Sequence, residues 1–198
     1  MKYLVHIKPS EEFSEKLMMY RSQITDSITK ISSNGLHCTL MSIRIKESDE
    51  LRAIQSLEQI SMQQFYVQSD AVDIFDNNSL VIKLQRSSDL LELHKKIIDG
   101  LQNFIDWEET PKPLHEYLNN PERLHIHNTY GSLYCAEFYN PHITIAQFDE
   151  ILLKNISLSK NDFIRFGWNV NNFFLSKKQS KWEVVRKFSL MNKTHEST

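Results

Sequence analysis

Two tetrapeptides carry the residue types that acid–base chemistry on a phosphodiester requires. His37 to Leu40 and His142 to Ile145 both read His-x-Thr-apolar, and they stand 105 residues apart. Side chains alternate between the two faces of a strand, so the imidazole and the hydroxyl of each motif would share one face while the apolar residues point into the core. An imidazole titrates near neutral pH, and a hydroxyl can donate to a phosphate oxygen. Two such pairs facing each other would grip a phosphodiester.

The flanking sequence predicts that each motif opens a β-strand. The runs from His37 to Ile45 and from His142 to Phe148 are rich in strand-forming residues. The second run follows Asn140-Pro141, and a proline favours extended geometry in the residue before it. We therefore expect each histidine at the start of a strand, next to a loop.

The rest of the chain alternates strand-like and helix-like patterns that would position these two strands. We predict a strand over 3–8, helices over 10–32, 48–60, 88–106 and 151–164, a hairpin over 65–85, a long loop with short elements over 107–139, and a closing hairpin over 166–190. The stripe of the first helix extends from Phe13 to Ile28, and that of the second includes Leu51, Ile54 and Leu57. This order predicts an α+β fold with antiparallel hairpins.

Length and cysteine content predict one intracellular domain. A chain of 198 residues can bury a sizeable core, so we expect a single domain of two lobes over 1–191 and a frayed tail over 192–198. Two cysteines, Cys38 and Cys135, make no disulfide framework. No apolar run has the length of a membrane span or a signal peptide. We expect a cytoplasmic protein.

The overall charge limits the kind of partner. The formal net charge is -2 and the pI is near 6.4, whereas proteins that hold long duplex nucleic acid usually carry a basic surplus. A few local donors are enough to hold one phosphate group. We therefore expect a nucleotide or short RNA as substrate, no membrane, no extended duplex, and a monomer.

The motif pair and its spacing resemble the 2H phosphoesterase superfamily, which includes the LigT-like "2'-5' RNA ligase" proteins and cyclic phosphodiesterases. The hairpin and helix over 65–105 and the closing hairpin from Phe173 to Phe188 are also similar to that family. The resemblance implies a bilobal, pseudo-symmetric fold in which two antiparallel sheets, flanked by helices, form a central cleft with one motif from each lobe. It also implies catalysis without a metal or any other cofactor.

Two features depart from the family pattern. Many LigT-like members have an arginine two residues after the second motif, where this chain has Gln147. The loop over 107–139 is also long for the family. Both features leave the reaction class in place and leave the substrate open.

We expect His37, His142, Thr39 and Thr144 to be catalytic. Hydrolysis of a phosphodiester needs a base to activate water, an acid to protonate the leaving oxygen, and donors to the non-bridging oxygens. The initial hypothesis is that His142 acts as the base and His37 as the acid, although a substrate bound in the opposite sense would exchange the roles. The alternative is that these are ordinary strand residues with structural roles.

Four further residues are candidates for substrate binding. Lys83 lies on the polar side of its strand and would compensate for the missing arginine, unless it is simply solvated. Tyr134, Tyr139 and Phe148 would stack on a base, unless they pack in the core.

Other histidines and lysines support weaker hypotheses. His125 and His127 form a His-x-His pair, but two ligands without a clear third make a poor metal site. Lys177, Lys178 and Lys181 fit a solvated turn, and contact with an RNA backbone is the alternative.

The sequence thus predicts a metal-independent phosphodiesterase acting on a 2',3'-cyclic nucleotide, an RNA end or a 2'-5'-linked oligonucleotide. The alternatives are a catalytically weak nucleotide- or RNA-binding module using the same cleft, and a metal hydrolase using His125 and His127.

Overall fold

The computed structural model has an α+β fold built around one strongly curled antiparallel sheet, which confirms the predicted fold class. It describes residues 1–23, 28–30, 35–113, 118–148 and 166–192, with the backbone alone for 23 and 28–30. The strands are β1 (Lys2–Ile7), β2 (Ile28–Lys30), β3 (Cys38–Arg44), β4 (Phe65–Ile74), β5 (Ser79–Leu84), β6 (His142–Phe148), β7 (Gly167–Val170), β8 (Asn172–Lys178) and β9 (Trp182–Ser189). The helices are α1 (Glu11–Gln23), α2 (Glu50–Glu58), α3 (Ser88–Leu101) and α4 (Pro121–Tyr130).

The sheet has two halves, and each half contains one motif strand. The strand order is β7-β4-β5-β6-β3-β1-β8-β9, so the second motif lies on β6 and the first begins immediately before β3. The halves meet where Cys38 of β3 lies opposite Ile143 of β6, a contact that we call the junction pair. Further along β6, Gln147 and Phe148 pair with β2 instead. The halves therefore separate beyond the junction pair, as in the two-lobed arrangement that the family resemblance implies.

The helix α3 covers the sheet beside the first motif and follows its predicted pattern. Ser87 caps its first turn by accepting a hydrogen bond from the Leu90 amide at 3.3 Å. Its buried side chains are Leu90, Leu93, His94, Ile97, Ile98 and Leu101. Within this apolar stripe, His94 hydrogen-bonds the carbonyl of Leu40 at 2.8 Å and so links the helix to β3.

Two details of the first two helices differ from the prediction. Ile28 was placed on the stripe of the first helix, but it belongs to β2, where backbone pairing with β6 overrides the local helical period. In α2 the buried residues are Ala53 and Leu57, and Leu51 is 65% exposed. Leu51 lies two residues from Ala53, which is about 200° around the helix, so both cannot face the core.

The long segment over 107–139 contains more structure than its weak periodicity predicts. Within it, α4 begins after Asn120, whose side chain accepts a hydrogen bond from the Arg123 amide at 3.0 Å, and ends at Gly131, whose φ is 66°. Pro121 occupies the first helical position. These cap residues are visible in the sequence. The helix has no clear apolar stripe, because its buried residues are the adjacent Ile126 and His127.

Both predicted hairpins are present, but one of the predicted strands is divided into two. The run from Phe166 to Ser176 was expected to form one strand of the last hairpin, but it divides into β7 and β8, and β7 pairs with β4 in the other half of the sheet. The helix predicted over 151–164 and the tail from 193 lie outside the described residues. In the parts that are described, none of the helices has the length and apolar character to cross a membrane.

Candidate active site

The register at the junction pair brings the two motifs together on one face of the sheet. When this antiparallel register is continued by one residue in each direction, His37 lies across from Thr144, and Thr39 lies across from His142. Directly opposed residues have Cβ atoms about 4.5–5.5 Å apart, and diagonal neighbours are within reach of long side chains. This register therefore brings the four candidate residues together around the junction pair, and the charge of His142 acts on His37.

Burial alternates along both motifs as strand geometry requires. The two histidines and two threonines are half-buried, whereas the apolar residues between and after them are buried. Cys38 is fully buried, and burial raises its pKa to about 11. Cys38 therefore serves the core as a neutral thiol.

Each of the two imidazoles is oriented by a hydrogen bond of the same kind, from Nδ1 to a backbone carbonyl. Nδ1 of His37 lies 2.9 Å from the carbonyl oxygen of Gly35, and Nδ1 of His142 lies 2.7 Å from that of Asn140, in each case two residues upstream. A carbonyl oxygen only accepts, so each Nδ1 carries the hydrogen and each Nε2 is left for a substrate. The backbone at Gly35 has a φ of 67°, a region that favours glycine.

An aromatic ring packs edge-on against each motif histidine, and the two rings differ. His37 contacts His6, with the ring centroids 5.3 Å apart and the planes at 68°. His142 contacts Phe75, with centroids 4.7 Å apart and planes at 71°. His6 in turn stacks on Phe174 at 5.6 Å. Sequence reasoning missed these contacts because each partner comes from another strand or turn.

Burial lowers the pKa of both motif histidines. For His37, the charges of His142 and Lys8 lower the pKa further, and the Gly35 carbonyl opposes the shift. For His142, burial lowers the pKa and the Asn140 carbonyl opposes it. Because the two rings interact, their titration belongs to the pair. A singly protonated pair would contain the base and the acid that hydrolysis needs.

Lys83 lies next to the second motif. It is directly opposite His142 across β5 and β6, and its ammonium forms an ion pair with Asp73 at 2.5 Å. The other carboxylate oxygen of Asp73 accepts a hydrogen bond from the Ile74 amide at 2.9 Å. Lys83 is therefore held beside the motifs with its charge partly balanced.

The three aromatic residues predicted to contact substrate do not lie together on the face that carries the motif histidines. Tyr139 is 3% exposed, stacks on His94 at 3.9 Å and approaches the Cys38 sulfur at 3.6 Å. Phe148 is also buried. Tyr139 and Phe148 therefore pack in the core, which was the alternative to stacking on a base. Tyr134 is exposed, and its ring lies 5.6 Å from the guanidinium of Arg123 in the segment over 107–139.

Gln147 and His127 make hydrogen bonds with structural roles. The Gln147 amide donates to the carbonyl of Asn77 at 3.1 Å and ties β6 to the turn between β4 and β5. On α4, His127 is buried and donates from Nε2 to the carbonyl of Pro111 at 2.9 Å, while His125 is exposed. Within the described ranges, no three His, Cys, Asp or Glu side chains form a group suited to a metal ion.

Comparison with protein families finds a match over most of this chain. The model of the 2'-5' RNA ligase superfamily matches residues 28–182, which include both motifs. Among curated protein sequences no match was found.

Several solved structures share the fold. TT0787 of Thermus thermophilus has a TM-score of 0.65 and 17% identity, with 98% of this chain and 100% of that chain covered. Apo LigT of E. coli has a TM-score of 0.63 and 14% identity, with 96% and 97% covered. The PDE domain of MHV ns2 has a TM-score of 0.51 and 15% identity, with 95% and 99% covered. LigT has also been solved with NADP+, 3'-AMP, ATP and phosphate.

Proposed function

The chain belongs to the 2'-5' RNA ligase superfamily, the family of the 2H phosphoesterases, and on this premise we propose that it is a metal-independent phosphodiesterase acting on a 2',3'-cyclic nucleotide, an RNA end or a 2'-5'-linked oligonucleotide. Family and fold support a phosphodiesterase-type function. The observation that carries the finer proposal is the matched pair of imidazoles. Both donate Nδ1–H to an upstream carbonyl, and both leave Nε2 for substrate.

The arrangement contains the groups that each step of hydrolysis requires. One imidazole accepts a proton from water as the water oxygen bonds to phosphorus, and the other donates a proton to the leaving oxygen as its bond to phosphorus breaks. The hydroxyls of Thr39 and Thr144 donate to the non-bridging oxygens, where charge increases in the transition state. Each proton leaves or enters through a side chain of this protein, so the reaction needs no metal-bound water.

The surroundings favour a small phosphorylated substrate. The net charge of -2 offers no basic track for a long duplex, whereas Lys83 places one cation beside the second motif. That LigT has been solved with 3'-AMP and ATP supports a nucleotide as the ligand of a similar cleft. We include Lys83 among the substrate-binding residues.

A turnover assay with excess chelator tests the proposal. We expect hydrolysis of 2',3'-cyclic nucleotides or short 2'-5' oligoadenylates to persist in chelator, and His37→Ala and His142→Ala each to reduce kcat by about 10² to 10⁴. His125→Ala, which removes an exposed histidine of α4, is the matched control and should retain full activity.

Two results would contradict this function. Tight binding of the same compounds without turnover would indicate a binding module, and abolition of turnover by chelator would indicate a metal hydrolase. Analysis of the products across the substrate panel would identify the linkage that is cut.

A further inference from the structure

His6 is a histidine in a position suited to an apolar residue. It lies on β1 among the buried residues Leu4, Val5 and Ile7, and its own exposure is 0%. Nε2 of His6 shares a hydrogen bond of 2.9 Å with Ser176 Oγ, which is also fully buried. Nδ1 has no hydrogen-bond partner among the described residues. Burying a polar atom in this way is unfavourable, so packing alone gives no reason for a histidine here.

The strand registers place His6 beside the first motif. His6 lies opposite Thr39 on β3 and opposite Phe174 on β8. Residues opposed in this way share a face of the sheet, so His6 lies on the same face as the catalytic residues. Its ring packs between Phe174 and the edge of His37. His6 therefore keeps water from one side of His37.

We propose that His6 is a positioning residue for His37, and that it makes His37 the base and His142 the acid. This inference rests on the proposed function above. It reverses the roles assigned in the initial sequence-based hypothesis. The edge contact fixes and shields the His37 ring, and the bond to Ser176 fixes the ring of His6 in turn.

The groups around the two catalytic histidines make protonation harder at His37. The charges that act on His37 are those of Lys8, just after β1, and of His142 on β6 when it is protonated. His6 of β1 contacts the His37 ring without adding a charge. Across from His142 lies Lys83, but Asp73 balances its charge. The one proton of a singly protonated pair is therefore favoured on His142.

His6 acts on His37 by packing against its ring, and it takes no part in proton transfer. Burial, with smaller effects of nearby His37 and Lys8, lowers the pKa of His6 to about 3. The ring is therefore neutral at the pH where His37 works. In the catalytic step, Nε2 of His37 accepts the proton of water while the new P–O bond forms, and Nε2–H of His142 protonates the leaving oxygen while the old P–O bond breaks.

A change of leaving group tests the assigned roles. Thymidine 3'-(4-nitrophenyl phosphate) releases a stable anion that needs no proton, whereas a natural substrate releases a ribose oxygen that does. We expect His142→Ala to lose at least about 10² in kcat/KM on the natural substrate but no more than about tenfold on the nitrophenyl ester. His37→Ala should lose at least about 10² on both. The opposite pattern, or equal losses in the two variants, would overturn the assignment.

An NMR titration of His37 tests the role of His6 without requiring turnover. In His6→Ala, water reaches His37, so we expect its pKa to rise toward the ordinary value of about 6.5. The double variant His6→Phe/Ser176→Ala keeps an aromatic ring and leaves no unpaired hydroxyl, so it should leave the pKa of His37 near that of the unmodified protein. If His6→Ala does not fold, His6→Asn provides a smaller side chain that can still bond Ser176.

The two variants separate positioning from a merely structural role. A structural role would lower the melting temperature and leave the pKa of His37 unchanged in every variant, and that result would overturn the proposal. An equal shift in the alanine and phenylalanine variants would also overturn it, because the aromatic contact would then have no effect. If no substrate is hydrolysed, the proposed function fails, whereas the titration still decides the role of His6.

Discussion

Cys38 and Ile143 lie opposite each other across β3 and β6, at the point where the two halves of the sheet meet. Each is the second residue of its motif, so this junction pair determines how the histidines and threonines on either side face one another. Both are fully buried, and Ile143 also lies opposite Ile82 of β5. The packing that holds the sheet together is thus the same packing that sets the geometry of the site.

Truncation at the junction should reduce stability and activity together. Ile143→Ala removes buried methyl groups and leaves a cavity, so we expect the free energy of unfolding to fall by about 2–5 kcal/mol, measured by urea denaturation. Ile143→Val is the control and should cost about 0.5–1.5 kcal/mol. Full activity in a stable alanine variant would show that the junction does not set the site geometry.

The threonine hydroxyls should contribute to the rate and little to stability. Thr39→Val and Thr144→Val keep the shape and remove a donor to the phosphate oxygens, so we expect kcat to fall by about 10² in each. Thr39→Ser and Thr144→Ser keep the hydroxyl and should remain within about tenfold of the unmodified protein. Equal activity in the valine and serine variants would assign these threonines to strand structure.

The pH optimum should lie on the acidic side of an ordinary histidine pair. Burial lowers the pKa of both His37 and His142, so the base remains neutral to lower pH and the acid also loses its proton at lower pH. The singly protonated pair is therefore most populated below about pH 6.5. We expect a bell-shaped profile of kcat/KM with its maximum below that value. A maximum above pH 7 would contradict the burial that the structure shows.

Lys83 should affect binding of substrate more than the chemical step. Lys83→Met removes the cation across from His142, and we expect KM to rise about tenfold with little change in kcat, an effect that weakens as salt screens the charge. Asp73→Asn frees the ammonium while retaining a side-chain oxygen for the Ile74 amide, so KM should fall or stay the same. A rise in KM in the asparagine variant would show that the ion pair itself positions Lys83.

Local patterns account for the parts of the fold that the sequence predicts well. The motif strands, the hairpin from Phe65 to Leu84 and the helix α3 each have a clear period and turn or cap residues within a short stretch. The structure also shows the alternation that sets the histidines and threonines apart from the buried residues of their strands. These features depend on neighbours in the sequence, and sequence reasoning therefore reaches them.

Long-range partners account for what the sequence does not predict. His6 is next to Ser176 only because β1 and β8 pair, and those residues are 170 positions apart. Phe148 is aromatic and near a motif, but the pairing of its strand buries it. The carbonyl bonds to Nδ1 depend on backbone dihedrals in the loops that precede each motif, although the glycine at position 35 is a signal of such a turn.

Two buried neutral histidines should make the protein sensitive to acid. The pKa is lowered by burial to about 4 in His94 and to about 3 in His6, whereas both titrate near 6.5 in the unfolded chain. Between these values the unfolded state binds more protons, so stability is present above about pH 6.5 and is lost as pH falls toward 4. Each histidine contributes a slope of up to about 1.4 kcal/mol per pH unit.

The contacts of His94 give a structural reason for this loss. Nδ1 donates to the Leu40 carbonyl, so Nε2 must be the acceptor for the Ala136 amide at 3.0 Å, and a proton on Nε2 would break that bond. We expect urea denaturation at pH 4, 5, 6 and 7 to show stability falling with pH. The double variant His6→Phe/Ser176→Ala should reduce the slope by one histidine's share, while His125→Ala, an exposed control, should not change it. A flat dependence in the unmodified protein would mean that neither ring stays neutral in the fold.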